Sequence, residues 1–382
     1  VDESTDGQGS LFALAVLSLI AGAASGFIGA VFRLVLEQAA RVRASFIGAA
    51  HAWPLAGCLL LVAVCAAATA VAAWLVRRFS PHASGSGIPH VEAVLDGKLP
   101  PATLGLVVVK FVGGVLAIGS GLALGREGPS VQMGAGAAHL VGKLFGRGWP
   151  DCRVLLAAGA GAGLATAFNA PIAGAIFVLE ELDRRFETRI AIAALGASAT
   201  AIAVARAILG DVPDFVVEPL RFGGHGEEIL YFALGILAGL LAIAYNRTLL
   251  GAIAVAGRLS HWPVELRAAL VGAVVGLVAW FEPKLVGGGD ALTQQALSGI
   301  GGLGLLSWVL LMRFGLGAVS YAAKTPGGLF APLLVLGAEL GQLFGSLCRL
   351  AFPSVEIQPV AFAVVGMAAF FTGVVRAPIT GI

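Results

Sequence analysis

Charge is what this chain has least of. Only 12% of its 382 residues are Asp, Glu, Lys or Arg, against 58% hydrophobic, and the mean hydropathy is +0.93. That balance excludes an ordinary water-soluble domain, in which about a quarter of residues are charged. A net charge of only +2 gives no electrostatic footprint for nucleic acid, and none is expected as a partner. Cysteine is scarce as well: Cys58, Cys65, Cys152 and Cys348 share no ligand spacing and read as packing residues. The histidines, His51, His82, His90, His139, His225 and His261, form no set at metal-ligand spacing, and no nucleophile stands with a base. A metal site, a cofactor and an enzymatic activity are therefore not expected. Tyrosine is reduced to Tyr231, Tyr245 and Tyr321.

What the chain has instead is apolar length. Nearly uncharged stretches run over Leu11 to Leu36, Pro54 to Val76, Leu104 to Ser120, Arg189 to Leu209, Ile229 to Ala244, Ala268 to Trp280 and Val360 to Val375. Crossing a hydrocarbon core of about 30 Å takes about 20 helical residues, so these are spans or near-spans of an all-α polytopic membrane protein. The 54 glycines let transmembrane helices approach closely and permit breaks where backbone lines a polar cavity. Residues 1–10 are polar and acidic, without the basic flank of a secretory signal, so Leu11 onward reads as a retained span. Basic clusters at Arg77–Arg78, Lys143–Arg153 and Arg184–Arg189 lie in loops and do not by themselves fix the orientation.

The chain also repeats itself. At an offset of 202, Gly85-Ser86-Gly87 falls on Gly287-Gly288-Gly289, and Ala93 to Gly97 falls near Leu292 to Gly299. At 203, Gly125, Pro129, Gly134 and Ala135 fall on Gly328, Pro332, Gly337 and Ala338; at 207, Ala170 to Gly174 falls on Ala377 to Gly381. The matched residues are helix breakers, and they recur in one order, as in an inverted-repeat transporter. The expected halves are residues 11–215 and 216–382. By this comparison the second half stops about 35 residues short, inside a helix; about one helical turn separates the second and last offsets.

Three glycine–proline segments carry the chemistry. Leu104 to Gly119 is an apolar helix ending at Gly119-Ser120-Gly121, and Gly125-Arg126-Glu127-Gly128-Pro129 then opens the next. Pro129 suits a first helical turn, so the amides of Arg126, Glu127 and Gly128 belong to a helix N-terminus, a ready anion site inside a bilayer. The same holds for Gly85-Ser86-Gly87-Ile88-Pro89, where Ser86 adds a hydroxyl, and for Gly328-Leu329-Phe330-Ala331-Pro332. A carboxylate at such a place is costly in a membrane, and Glu127 competes with the anion it would meet. Ionised, it occupies the site as a tethered anion; protonated, it yields the site. The bland alternative is a first-turn glutamate that stabilises the helix dipole or pairs with Arg126.

These three segments resemble the signature segments of the CLC chloride channels and chloride/proton antiporters. Phe168-Asn169-Ala170-Pro171, Glu180-Glu181 and Lys110 resemble the family too, and the likeness extends over nearly the whole chain. It implies an inverted repeat of tilted and broken helices, a homodimer with one pore per subunit, and chloride and protons as the transported ions. Glu127 would be the gating and proton-exchanging carboxylate. Ser86, Gly87, Ile88, Arg126, Gly128, Leu329 and Phe330 would surround the anion. Glu181 matches the family's internal proton-transfer glutamate and favours exchange over a channel, although Glu180-Glu181 taken alone reads as a solvated helix end. Serine at position 86 points to chloride. Lys110 would make the pore electropositive, unless it snorkels to the interface. The family's prokaryotic members imply a multi-pass protein in contact with lipid, in the bacterial inner membrane. Two departures stand out. No tyrosine lies in place of the family's central-site tyrosine, and Lys324 occupies a position where the family commonly has a small residue. These two features are what a passive chloride channel on the same fold would rest on.

Overall fold

The computed structural model describes residues 11–211, 213–217, 219–220 and 227–381. The polar segment 1–10 lies outside them. Among the described residues there are fourteen α-helices and no strand. The first half holds α1 (Leu11–Ala50), α2 (Pro54–Phe79), α3 (Ile88–Leu95), α4 (Leu104–Gly119), α5 (Glu127–Leu144), α6 (Trp149–Phe168), α7 (Pro171–Phe177) and α8 (Thr188–Leu209). The second holds α9 (Glu227–Arg258), α10 (Val264–Phe281), α11 (Asp290–Leu297), α12 (Leu303–Ala322), α13 (Phe330–Ala351) and α14 (Pro359–Val375).

Eight of these helices are long and apolar enough to cross a bilayer, which makes the chain a multi-pass integral membrane protein. Helix α1 runs well past the stretch expected from hydropathy, to Ala50. Helices α4 and α14 are shorter than a straight crossing, at 16 and 17 residues.

Small residues set the packing. A Cβ on Gly22 or Gly26 would strike the backbone of Ala197 or Ala201, so α1 and α8 meet backbone to backbone. Gly134 on α5 lies equally close to Gly159 and Gly163 on α6, as Gly337 and Gly341 on α13 lie against Gly366 and Phe362 on α14. Lipid tails give no hydrophobic drive between helices, and close approach of this kind supplies the dispersion contact that holds them.

The two halves repeat around α3 and α11 and at the ends of α6 and α14. Helix α3 and helix α11 each contain 8 residues. Each follows a left-handed glycine, Gly87 at φ 88° and Gly289 at φ 98°, and each is closed by another, Gly97 at φ 72° and Gly299 at φ 69°. Before each lies a 3-10 turn, Pro81–Ala83 and Pro283–Leu285. Helix α6 ends on Asn169 and α14 on Arg376, both left-handed. Matched breakers such as Gly87/Gly289 and Pro129/Pro332 thus stand at helix starts, whereas Gly134/Gly337 stand at helix–helix contacts.

Candidate functional site

Short backbone bridges tie together the segments that start α3, α5 and α13. Gly125 and Gly328 exchange hydrogen bonds in both directions, each 2.7 Å, which sets the start of α5 against the start of α13. The Gly85 amide donates to the Thr325 carbonyl at 3.1 Å, and Gly327 donates back to Gly85 at 3.0 Å. Gly128 lies against the Ser86 hydroxyl and carbonyl so closely that no Cβ fits between them. The first turns of these helices carry amides with no intrahelical acceptor and a partial positive charge.

Glu127 uses that field. Its side chain is 1% exposed, folds back over Gly125, and its Oε2 accepts from the Ala331 amide, in the first turn of α13, at 3.3 Å. It is a carboxylate tethered to one helix N-terminus and seated on another. Arg126 sits beside it with its side chain turned elsewhere. The guanidinium donates to the Ala167 carbonyl at 3.2 and 3.3 Å and pairs with Asp290 at 3.3 Å and Asp214 at 3.5 Å. With its guanidinium so engaged, Arg126 is restricted to its backbone as an anion ligand.

Two cavities approach this barrier. One, of about 110 Å³, is lined by Arg43, Gly125, Arg126, Glu127, Asp290 and Ala331, with Gly287 and Gly288 on its rim. The other, of about 260 Å³, is lined by Ser86, Ile88, Glu181, Tyr321, Leu329 and Phe330, among others. They share no lining residue. The expected site residues therefore divide, with Arg126 and Glu127 at one mouth and Ser86, Ile88, Leu329, Phe330 and Glu181 at the other. Gly128 lies under Ser86, and left-handed Gly87 lies against Gln132. Phe330 is fixed by edge-on packing against Phe177 and Phe371, with ring centroids 6.0 and 4.9 Å away.

The paired glutamates separate. A π-helical turn over Val178–Asp183 sends Glu180 to the amides of Ile379 and Thr380, at 2.9 and 2.8 Å, and to the Thr380 hydroxyl at 2.7 Å. Glu181 stays on the larger cavity and pairs with Arg184 at 3.2 Å. Neither is a freely solvated helix end.

Lys110 does not snorkel. It is 0% exposed, and its Nζ donates to the carbonyls of Ala83 at 3.1 Å and Gly85 at 2.7 Å, just ahead of α3. A counterpart that sequence reading missed stands in the other half. Arg313 donates to Leu285 at 3.0 Å and to Gly287 and Gly288 at 2.7 Å each, just ahead of α11. Arg313 follows Lys110 by 203 positions, so the repeat offset was a signal that could have found it. Tyr321 was also missed. It is no counterpart of the absent central-site tyrosine in sequence, yet it lines the Ser86 cavity and stands against Gly85. Lys324 is exposed, with a left-handed backbone at φ 58°, which is the physical reason for a small residue there. Among the described residues no group of three or more His, Cys, Asp or Glu side chains is placed to hold a metal.

Interrupted membrane helices, repeated in two halves and joined near their starts around a carboxylate, are the architecture of an ion transporter. The chain matches the voltage-gated chloride channel family over residues 68–382 and belongs to that family. It is 35% identical over 377 residues to the H(+)/Cl(-) exchange transporter ClcA of Vibrio cholerae serotype O1 (strain M66-2), covering 97% of this chain and 81% of that one. It is 36% identical over 376 residues to the protein of the same name from Cronobacter sakazakii, covering 96% and 80%. Among solved structures, a slow cyanobacterial Cl-/H+ antiporter superposes with a TM-score of 0.93 at 30% identity, over 98% of this chain and 88% of that one. A CLC-type fluoride/proton antiporter superposes at 0.79 with 22% identity, over 98% and 91%, which bears on the fold alone. The architecture is the CLC-type inverted repeat of tilted and broken helices expected from sequence.

Proposed function

We propose that this protein exchanges chloride for protons across the bacterial inner membrane, with Glu127 as the group that both ions must displace. One observation carries the mechanism: the Glu127 carboxylate accepts from the Ala331 amide at the N-terminus of α13. An ionised carboxylate gains up to about 2 kcal/mol at a partly buried helix end. At the centre of a bilayer a charged residue costs about 2.5–3.5 kcal/mol on insertion scales. The seat is therefore good enough to hold an anion and poor enough to release it. Chloride arriving from the Ser86 cavity takes the helix-end field, and a proton neutralises the displaced carboxylate. Each ion favours departure of the side chain that blocks the other.

Ser86, Gly87, Ile88, Gly128, Leu329 and Phe330 line the anion's route, together with the backbone of Arg126. Glu181 supplies protons from the opposite mouth. Its place on the cavity that holds Ser86, beside the partner Arg184, supports a carboxylate that is reached from that cavity. Lys110 raises the potential of the Ser86 loop while fixing its carbonyls. The names of the relatives support exchange over passive conduction and transport over enzymatic chemistry. The protein works as a homodimer embedded in lipid, each subunit built from halves spanning residues 11–215 and 216–382.

The test is simultaneous recording of chloride efflux and external pH from liposomes loaded with chloride. Efflux accompanied by proton uptake is expected. Chloride leaving with no proton signal would make the protein a channel and remove the role given to Glu181.

A further inference from the structure

A third cavity, of about 150 Å³, lies between α11, α12 and α13 and is lined by Glu282, Lys284, Leu285, Gln295, Trp308 and Glu339, among others. The most buried polar residue of its lining is Glu339, on the transmembrane helix α13. The side chain is 3% exposed, and its Oε2 is buried with no hydrogen-bond partner. An unpaired carboxylate buried in an apolar wall is expensive, and such groups persist where they bind something.

What lies behind Glu339 links it to the transport site. Arg313, on α12, faces it, and the guanidinium Nε is also without a partner. The other two guanidinium nitrogens hold the carbonyls of Leu285, Gly287 and Gly288. Leu285 is a wall of the Glu339 cavity, whereas Gly287 and Gly288 form the rim of the cavity over Glu127. One cation therefore bonds to a wall residue of the Glu339 cavity and to two wall residues of the cavity over Glu127.

The repeat supplies an internal control. The position matching Glu339 in the first half is Gly136, 203 residues earlier. A Cβ there would strike the side chains of Val107 and Ala102, so the space is closed by packing. Lys110 still holds its two carbonyls without any acid beside it. The clamp does not need Glu339, and the carboxylate is an addition to one half only.

We infer that Glu339 is a further proton-binding site, distinct from Glu127 and Glu181, that tunes chloride entry at the Glu127 mouth through Arg313. The inference rests on the anion route proposed above. Ionised Glu339 offsets the charge of Arg313. Protonated Glu339 leaves the guanidinium uncompensated behind Gly287 and Gly288, and chloride at the rim meets a more positive field. Glu282 and Lys284 share its cavity, and Asp290, on α11, faces Arg313. Tyr245 on α9 faces Arg313, and α14 carries no charged side chain.

The experiment reads chloride efflux alone, at about pH 7 and about pH 4, which brackets the carboxylate range. It compares wild type with Glu339→Gln, and Glu127→Ala with the double variant. With the Glu339 carboxylate present, efflux rises about fivefold on acidification in both backgrounds, the low end of coupling between linked sites. Glu339→Gln sets efflux at neutral pH to the acid level and removes the rise that Glu339 causes. Glu339→Met, of similar volume, does the same if the amide disturbs folding. Profiles that superimpose with and without the carboxylate, in both backgrounds, overturn the inference. Because the Glu127→Ala background needs no proton coupling, this failure is distinguishable from failure of the exchange mechanism, which shows as a missing proton signal in wild type.

Discussion

Lys110 and Arg313 perform the same structural task in opposite halves of the protein. Lys110 holds the carbonyls of Ala83 and Gly85, and Arg313 holds those of Leu285, Gly287 and Gly288, in each case the loop that starts a broken helix. The carbonyl pairs Ala83/Gly85 and Leu285/Gly287 stand at the same repeat offset. Breaking a helix inside a membrane leaves carbonyls that water cannot reach, and a buried cation is the means this chain uses to satisfy them.

Removing either cation without replacing its hydrogen bonds is therefore expected to destabilise the fold. Each stranded carbonyl costs about 1–3 kcal/mol. Arg313→Met, which strands three, should lower the thermal midpoint of the detergent-solubilised protein more than Lys110→Met, which strands only that of Ala83, because the Gly85 carbonyl keeps the Gly327 amide. Midpoints equal to wild type would mean that the loops hold themselves.

Gly128 has no room for a side chain because Ser86 stands against it. Gly128→Ala should push the Ser86 loop out of place, at an overpacking cost of about 1–3 kcal/mol. Chloride turnover should fall by about tenfold or more, the factor that 1.4 kcal/mol gives. Ser86→Ala, which removes a donor and adds no atom, should weaken chloride binding measured by calorimetry without loss of fold.

Glu181→Gln should keep chloride flux and lose proton flux. The amide preserves a polar group toward Arg184 and cannot take up a proton from the cavity. Proton transport that survives this change, at the wild-type ratio to chloride, would assign the second mouth's proton traffic to another group.

Much of the site was legible in the sequence, for a physical reason. Gly and Pro are the residues that break helices, so Gly85 to Pro89, Gly125 to Pro129 and Gly328 to Pro332 mark the helix starts that the backbone bridges join. The membrane class followed from hydropathy and the pairing of halves from an ordered repeat. What stayed hidden depends on long-range partners. The acceptors of Lys110 and Arg313 are backbone carbonyls, which no side-chain pattern reports. The engagement of Arg126 with Asp214 and Asp290 joins loops far apart in the chain. Glu180 and Glu181 are neighbours in sequence, and only the π-helical turn that carries them shows that one binds Ile379 and Thr380 while the other faces a cavity. Glu339 gave no signal of its own because an isolated acid within an apolar helix belongs to no motif.

The most direct test of the exchange mechanism is the reversal potential of purified protein in a planar bilayer, with equal chloride on both sides and a proton gradient across it. Coupled exchange predicts a reversal potential displaced from zero by the proton gradient alone, and a return to zero in Glu127→Ala while chloride current persists. A wild-type reversal potential that stays at zero would contradict the account, because it would mean that chloride crosses without reference to protons.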